Sequence, residues 1–163
     1  MRTWVTIESP LGELTLGNTD GRLSEVRFGA NGSQPHASPA GTRAPARFER
    51  AIEELTEYFS GERDLFTVPV APRGTEFQLR VWALLHEIPY GETRSYGDIA
   101  RALGDPASAR EVGWANARNL IAIVVPCHRV IGSDGSPTGY AGGLERKRFL
   151  LDLEAGRQPL FVR

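Results

Sequence analysis

Pro126-Cys127-His128-Arg129-Val130 sets the only cysteine of the chain beside one of its three histidines. A thiolate is a strong nucleophile once its proton has gone, and imidazole is the side chain whose ordinary pKa suits it to remove that proton near neutral pH. With a single thiol in 163 residues there is no internal disulfide and no CxxC redox or zinc pair. Free cysteines are more often buried, inert small hydrophobes, so the pair needs support from elsewhere in the chain. An apolar run (Ile121, Ile123, Val124, Val125) leads into it, a setting that suits a nucleophile better than half of a disulfide. The other histidines carry no such signal: His36 sits in a Gly/Ser/Pro-rich stretch, and His86 falls at the end of a helical pattern.

The elements that must hold the cysteine follow from periodicity. Over the first 28 residues, Trp4, Thr6 and Glu8 alternate with Val5 and Ile7, Leu14 and Leu16 alternate in a second run, and Asp20-Gly21 is a hairpin signal before Leu23, Val26 and Phe28. Residues 29–44 show no period and read as a mobile loop. Phe48, Ile52, Leu55 and Phe59 form a helical stripe that ends at Gly61. Leu65–Val70 reads as a short strand, and a Pro/Gly linker over 71–74 marks a boundary between residues 1–72 and residues 73–163. Thr75 and Gln78 have capping-box spacing ahead of a helix whose core face is Phe77, Val81, Leu84 and Leu85. Ile88-Pro89-Tyr90-Gly91 stops it.

Residues 95–118 read as two short helices around a Gly turn. Ser95 caps the first, with Asp98 three residues on and Tyr96, Ile99, Ala102 and Leu103 facing inward. Gly104 ends it. Asp105 and Pro106 open the second, whose apolar side is Ala109, Val112 and Gly113. This is the helix-turn-helix pattern, which helical corners of many kinds share. The second helix sets one long cation, Arg110, among Ala107, Ser108 and Ala109. Small residues let a backbone approach a partner, and a guanidinium both stacks and hydrogen-bonds. An ordinary solvated arginine is the plain alternative.

Bulk properties admit this reading without requiring it. The net charge is −1, with a slight acidic excess over residues 1–70 and a slight basic one beyond. A solvated surface explains that tilt as well as a nucleic-acid face does. Lys147 is the only lysine. Hydrophobic content of 40% suffices for one soluble core, and no apolar run reaches the roughly 20 residues of a membrane span. The expected setting is a reducing cytoplasm.

Thr75-Glu-Phe-Gln78, Val81-Trp82, Ile88 to Thr93, Ser95-Tyr96-Gly97, Ala109 to Gly113, Asn119, Pro126 to Val130, Gly139 to Gly143 and Leu150 to Glu154 occur in an order that closely resembles the O6-alkylguanine-DNA alkyltransferase family. The resemblance is dense over 75–155 and loose over 1–70. It implies an α/β (α+β) fold: a small N-terminal RNase H-like antiparallel sheet with a helix, then a mostly helical, winged helix-turn-helix-type domain carrying the cysteine. It implies direct-reversal DNA repair, in which Cys127 takes the alkyl group of O6-alkylguanine once and keeps it. His128 would help to deprotonate the thiol through a bridging water, because adjacent side chains of an extended segment point apart. Glu154 would orient His128 as the carboxylate of a triad does. Asn119 would tie the DNA-binding helix to the cysteine segment. Arg110 would fill the space left by a flipped base, Tyr96 and the Val130 backbone would read that base, and Tyr140, Ala141 and Gly142 would close over the alkyl group. Lys147 joins this substrate- or DNA-facing set. No cofactor and no metal are expected, since the family's zinc-binding variants use N-terminal cysteines that this chain lacks. The partner implied is double-stranded DNA, bound by a monomer singly or cooperatively, with salt-sensitive, sequence-independent affinity.

Three positions depart from the family pattern. Ala141 stands where many relatives carry Ser, which predicts altered substrate tolerance. Leu120 replaces a common Pro. Trp114 stands where relatives usually have a small or aliphatic residue, and four residues after Arg110 it shares that residue's helix face, so it is expected to touch DNA. Two competing readings fit the sequence less well. One is a lesion-binding alkyltransferase-like protein, which the presence of Cys127 opposes. The other is an unrelated cysteine hydrolase, for which no oxyanion site is visible.

Overall fold

The computed structural model describes residues 1–29, 41–135, 139–140 and 142–157. In chain order the elements are β1 (Arg2–Ser9), β2 (Gly12–Thr19), β3 (Arg22–Phe28), β4 (Thr42–Arg43), α1 (Glu49–Phe59), α2 (Glu76–His86), β5 (Arg94–Ser95), α3 (Tyr96–Ala102), α4 (Ala109–Ala117), β6 (Val130–Ile131) and α5 (Leu144–Glu154). A four-stranded sheet runs β3-β2-β1-β4, antiparallel except for the β1–β4 pair, and β5 pairs with β6 in parallel. The alternation of Val5, Leu14, Leu16, Leu23 and Val26 puts one sheet face into the core. The small N-terminal sheet with its helix, followed by a helical C-terminal part, is the expected fold class.

Several expectations need correction. β4 lies within the stretch expected to be a loop; residues 30–40, with His36, lie outside the described residues. The stripe of α1 is rotated by one position, so that Ala51, Leu55 and Tyr58 are buried while Ile52 and Phe59 are only partly covered. Leu65–Val70 is not a strand. Its backbone donors at Thr67 and Val68 are taken by the buried Glu54 carboxylate at 2.9 and 3.0 Å, and only Val70 forms a bridge, to Leu23. On α3 the inner residue is Ala100 rather than Ala102.

The two parts of the chain share one apolar core. They are also joined at the backbone. The outer edge of β3 is covered where Val26 N donates to Leu120 O and Ala122 N donates to Val26 O. Trp82 on α2 donates its indole N–H to Ala115 O at 2.9 Å and fixes α2 against α4. Both capping boxes form, at Thr75/Gln78 and at Ser95/Asp98. Gly104, at φ +84, makes the turn between α3 and α4 that an L side chain would resist. Asp105 caps a short 3-10 turn, Pro106–Ser108, from which α4 continues.

Candidate active site

The path from α4 to the cysteine is neither helix nor strand. Asn119 is buried just past the α4 C-terminus; its Oδ1 accepts from Ile121 N at 3.0 Å and its Nδ2 donates to Val125 O at 2.8 Å. Within that clasp Val124 N donates to Ala122 O around Ile123, which sits at φ 71. A three-residue turn of this hand is rare, and at a β-branched residue it stores roughly 1–3 kcal/mol of strain. Cys127 N then donates to Val125 O around Pro126, at φ −81 and ψ 63, the favourable mirror turn that proline's fixed φ suits. Cys127–Arg129 forms one 3-10 turn. The extended segment expected at Cys127 and His128 is therefore absent: the two residues share a 3-10 turn, reached through two tight turns that the Asn119 clasp holds.

Cys127 is buried and free. Burial pushes its thiol up, while hydrogen bonding from Asn119, the Lys147 charge and Tyr140 act against that rise. The resting form is the neutral thiol. Asn116, one residue before the end of α4, donates Nδ2 to Cys127 O at 3.2 Å.

His128 and Glu154 meet as expected, with Nε2 to Oε2 at 2.7 Å and both side chains inaccessible to solvent or nearly so. Burial pushes the His128 ring down, against the raising effect of Glu154, and the Arg129 and Lys147 charges add to the lowering. Burial alone would raise the Glu154 carboxyl, but hydrogen bonds and charge from His128 and Arg129 outweigh it and hold it well below the usual carboxylate range. An ionised Glu154 can only accept. Nε2 of the neutral imidazole must then carry the proton and Nδ1 is the basic nitrogen; Nδ1 is buried without a protein partner among the described residues.

Two contacts to Glu154 were not legible in the sequence. Arg129 forks onto the carboxylate, Nε to Oε1 at 2.7 Å and Nη2 to Oε2 at 3.0 Å, and its Nη1 donates to Ile88 O. Tyr58 Oη donates to Oε2 at 2.6 Å. Arg129 lies inside the pentapeptide that drew attention and could have been flagged as a buried counter-charge. Tyr58 offered only its place three residues after Leu55.

A cleft of about 680 Å³ is lined in part by Tyr96, Trp82, Arg118 and Arg73, and by Asn119 and Tyr140, the two side chains that approach the Cys127 thiol; Cys127, His128 and Glu154 do not themselves line it. The Tyr140 hydroxyl is buried against the cysteine, and its ring is edge-on to Phe28 of β3, 5.8 Å between centroids. Gly142 fits under that pair, since an added Cβ would lie 2.6 Å from the Phe28 ring and 2.9 Å from the Tyr140 ring. Arg146 on α5 secures the loop by donating to Gly142 O and Leu11 O. Ala141 lies outside the described residues.

Lys147 does not reach the surface. It is fully buried on α5, and Nζ donates to Val130 O at 2.5 Å and Gly139 O at 3.4 Å. It thus ties the Val130 segment to the Gly139 loop from within the core instead of meeting phosphate, because α5 turns its stem inward. Val130 is buried, its carbonyl held by Lys147. Arg110 and Trp114 are both exposed on α4, Trp114 at 56%. Among the described residues no group of three or more His, Cys, Asp or Glu is placed to hold a metal, and no helix is long and apolar enough to cross a membrane.

Comparison with known proteins agrees with the geometry over nearly the whole chain. The model of the ribonuclease-like domain of 6-O-methylguanine DNA methyltransferase matches residues 3–72, and that of the same family's DNA-binding domain matches residues 76–156. A methylated-DNA–protein-cysteine methyltransferase of Mycobacterium tuberculosis is 51% identical over 154 residues, covering 94% of this chain and 93% of that protein. The constitutive methylated-DNA–protein-cysteine methyltransferase of Bacillus subtilis is 43% identical over 159 residues, covering 94% and 96%. The crystal structure of Mycobacterium tuberculosis OGT in complex with DNA superposes with a TM-score of 0.90 at 49% identity, covering 96% of this chain and 95% of that one.

Proposed function

The chain belongs to the 6-O-methylguanine DNA methyltransferase family, and we propose that it repairs DNA by moving the alkyl group of an O6-alkylguanine irreversibly onto Cys127. The observation that carries this reading is the buried thiol on the 3-10 turn Cys127–Arg129, with the His128–Glu154 pair beside it in that turn and on α5, and a cleft lined by Asn119 and Tyr140, the two side chains that approach the thiol. The thiol proton passes to His128 Nδ1 through a water, and Glu154 stabilises the imidazolium that forms. Sulfur attacks the alkyl carbon; the S–C bond forms as the C–O6 bond breaks, and the electron pair goes to the guanine. The proton given up by the thiol ends on that guanine, which leaves as the normal base. Nothing returns the thioether to a thiol, so each molecule acts once.

The base must leave the duplex to reach Cys127, at a cost of a few kcal/mol. Tyr96 and the Val130 backbone hold it, Arg110 occupies the vacated stack, and Tyr140 with the 139–143 loop covers the alkyl group. We assign residues 73–163 to the DNA-facing and acceptor unit and residues 1–72 to its support. The partner is double-stranded DNA carrying the lesion, met by a monomer. Intact-protein mass after incubation with a duplex holding one O6-methylguanine tests the reading. One added methyl group per protein, absent in Cys127→Ser, is expected; tight duplex binding with no mass gain would make this a lesion-recognition protein instead.

Trp114 supports a DNA-facing α4, since its large side chain is 56% exposed on the Arg110 face. Trp114→Ala is expected to weaken duplex binding by roughly 10-fold, the scale of one lost stacking contact, and to leave transfer from a free O6-alkylguanine base unchanged. Titration of a labelled duplex and single-turnover kinetics with the free base check the two halves; equal duplex affinity would remove Trp114 from the interface.

A further inference from the structure

Glu154 receives more donors than orienting one histidine requires. Its Oε2 accepts from Tyr58 Oη, His128 Nε2 and Arg129 Nη2, and its Oε1 accepts from Arg129 Nε and, at 3.4 Å, from Gly91 N. Only Tyr58 comes from the N-terminal unit, 96 residues earlier in the chain. Its side chain is fully buried, edge-on to Phe59 and Tyr90 and tilted against Phe66. Three aromatic rings thus hold the hydroxyl toward one carboxylate oxygen, the same oxygen that holds His128.

We propose that Tyr58 is a positioning residue for alkyl transfer, its hydroxyl fixing the Glu154 oxygen that orients His128, so that the N-terminal unit sets the reactivity of a thiol carried by the C-terminal one. This rests on the proposed function. The Tyr58 bond draws charge from Oε2 and makes it a weaker base, which leaves the proton on Nε2 and Nδ1 free to act. It also stops the carboxylate from turning wholly into the Arg129 fork. The charged and titratable groups facing the His128–Glu154 pair are Arg129 and Cys127 from their own turn, Lys147 from α5, Tyr90 from the turn after α2, Tyr140 from the loop before α5 and Tyr58 from α1. Of the neutral donors among them, Tyr58 alone binds Oε2 directly.

The test compares wild type, Tyr58→Phe and Phe59→Leu, with transfer to Cys127 and alkylation of Cys127 by iodoacetamide both followed by mass across a pH series. Loss of the donor leaves Oε2 more basic and favours imidazolium, so the acid-side midpoint of both profiles in Tyr58→Phe moves to higher pH, by about half a unit. Transfer at neutral pH falls about 10-fold, part of what a positioned base supplies. Phe59→Leu perturbs the same packing and leaves the midpoint in place. Should Tyr58→Phe fail to fold, 3-fluorotyrosine at position 58 keeps the shape and donates more strongly, and the midpoint then moves to lower pH. Unmoved midpoints in the folded variant overturn the inference. A wild type that reacts with iodoacetamide but takes no methyl from DNA overturns the proposed function instead, so the two failures are told apart.

Discussion

Glu154→Gln is expected to slow transfer to Cys127 by about 1,000-fold and to lower stability at neutral pH by roughly 3–5 kcal/mol. The substitution keeps the shape and removes the charge on which five hydrogen bonds converge. The amide nitrogen cannot accept, so at least one donor is orphaned in a buried site. Arg129, 8% exposed at its side chain, would keep Ile88 O and lose its counter-charge. Breaking a buried pair from one side is costly for that reason. The rate loss has a separate origin, since an amide does not stabilise the imidazolium that forms as the thiol gives up its proton. The two effects separate with pH. The Glu154 carboxyl is held well below the usual range in the fold, so its contribution is present above the unfolded value of about 4.3 and is lost as pH falls from there. Urea unfolding should therefore show a stability gap between wild type and Glu154→Gln that is full at pH 7 and narrower at pH 3. A gap that does not change with pH would mean that shape, not charge, is what Glu154 supplies.

How much of this was legible in the sequence depends on the range of each interaction. The capping boxes at Thr75/Gln78 and Ser95/Asp98 span three residues, and both form as read. The helix-turn-helix corner needed only Gly104, Asp105 and Pro106. The reactive pentapeptide announced itself by composition, and the resemblance added Glu154. What stayed hidden is what tertiary approach decides. Leu65–Val70 has strand composition, yet the Glu54 carboxylate satisfies its backbone before a neighbouring strand does. The run Ile121 to Val125 has strand composition too, and Asn119 folds it into tight turns. Tyr58 looked like one more aromatic on an amphipathic helix. Nothing local says that its hydroxyl meets a carboxylate 96 residues away. The part of the site written in adjacent residues was readable, and the polar network beneath it was not.

The position that composition singled out without explaining is Lys147, and its replacement by methionine gives the second large expected effect. Burial depresses its ammonium to about 8, and the Cys127 thiolate opposes that fall. The same charge counters the rise that burial imposes on Cys127. Lys147→Met removes the cation that favours the thiolate and frees Val130 O and Gly139 O, the two segments that Nζ joins. The Cys127 titration is expected to move up by about one unit or more, and transfer at neutral pH to fall roughly 10- to 100-fold. Stability supplies an independent readout. Between about pH 8 and the unfolded value near 10.4 the unfolded chain holds the lysine proton and the fold does not, so stability rises with pH across that window, by up to about 3 kcal/mol. Measured on a Cys127→Ser background, where no thiolate interferes, that rise should be present with Lys147 and absent with Met. If both backgrounds gave the same flat profile, the ammonium would not be desolvated, and its influence on Cys127 would have to be given up with it.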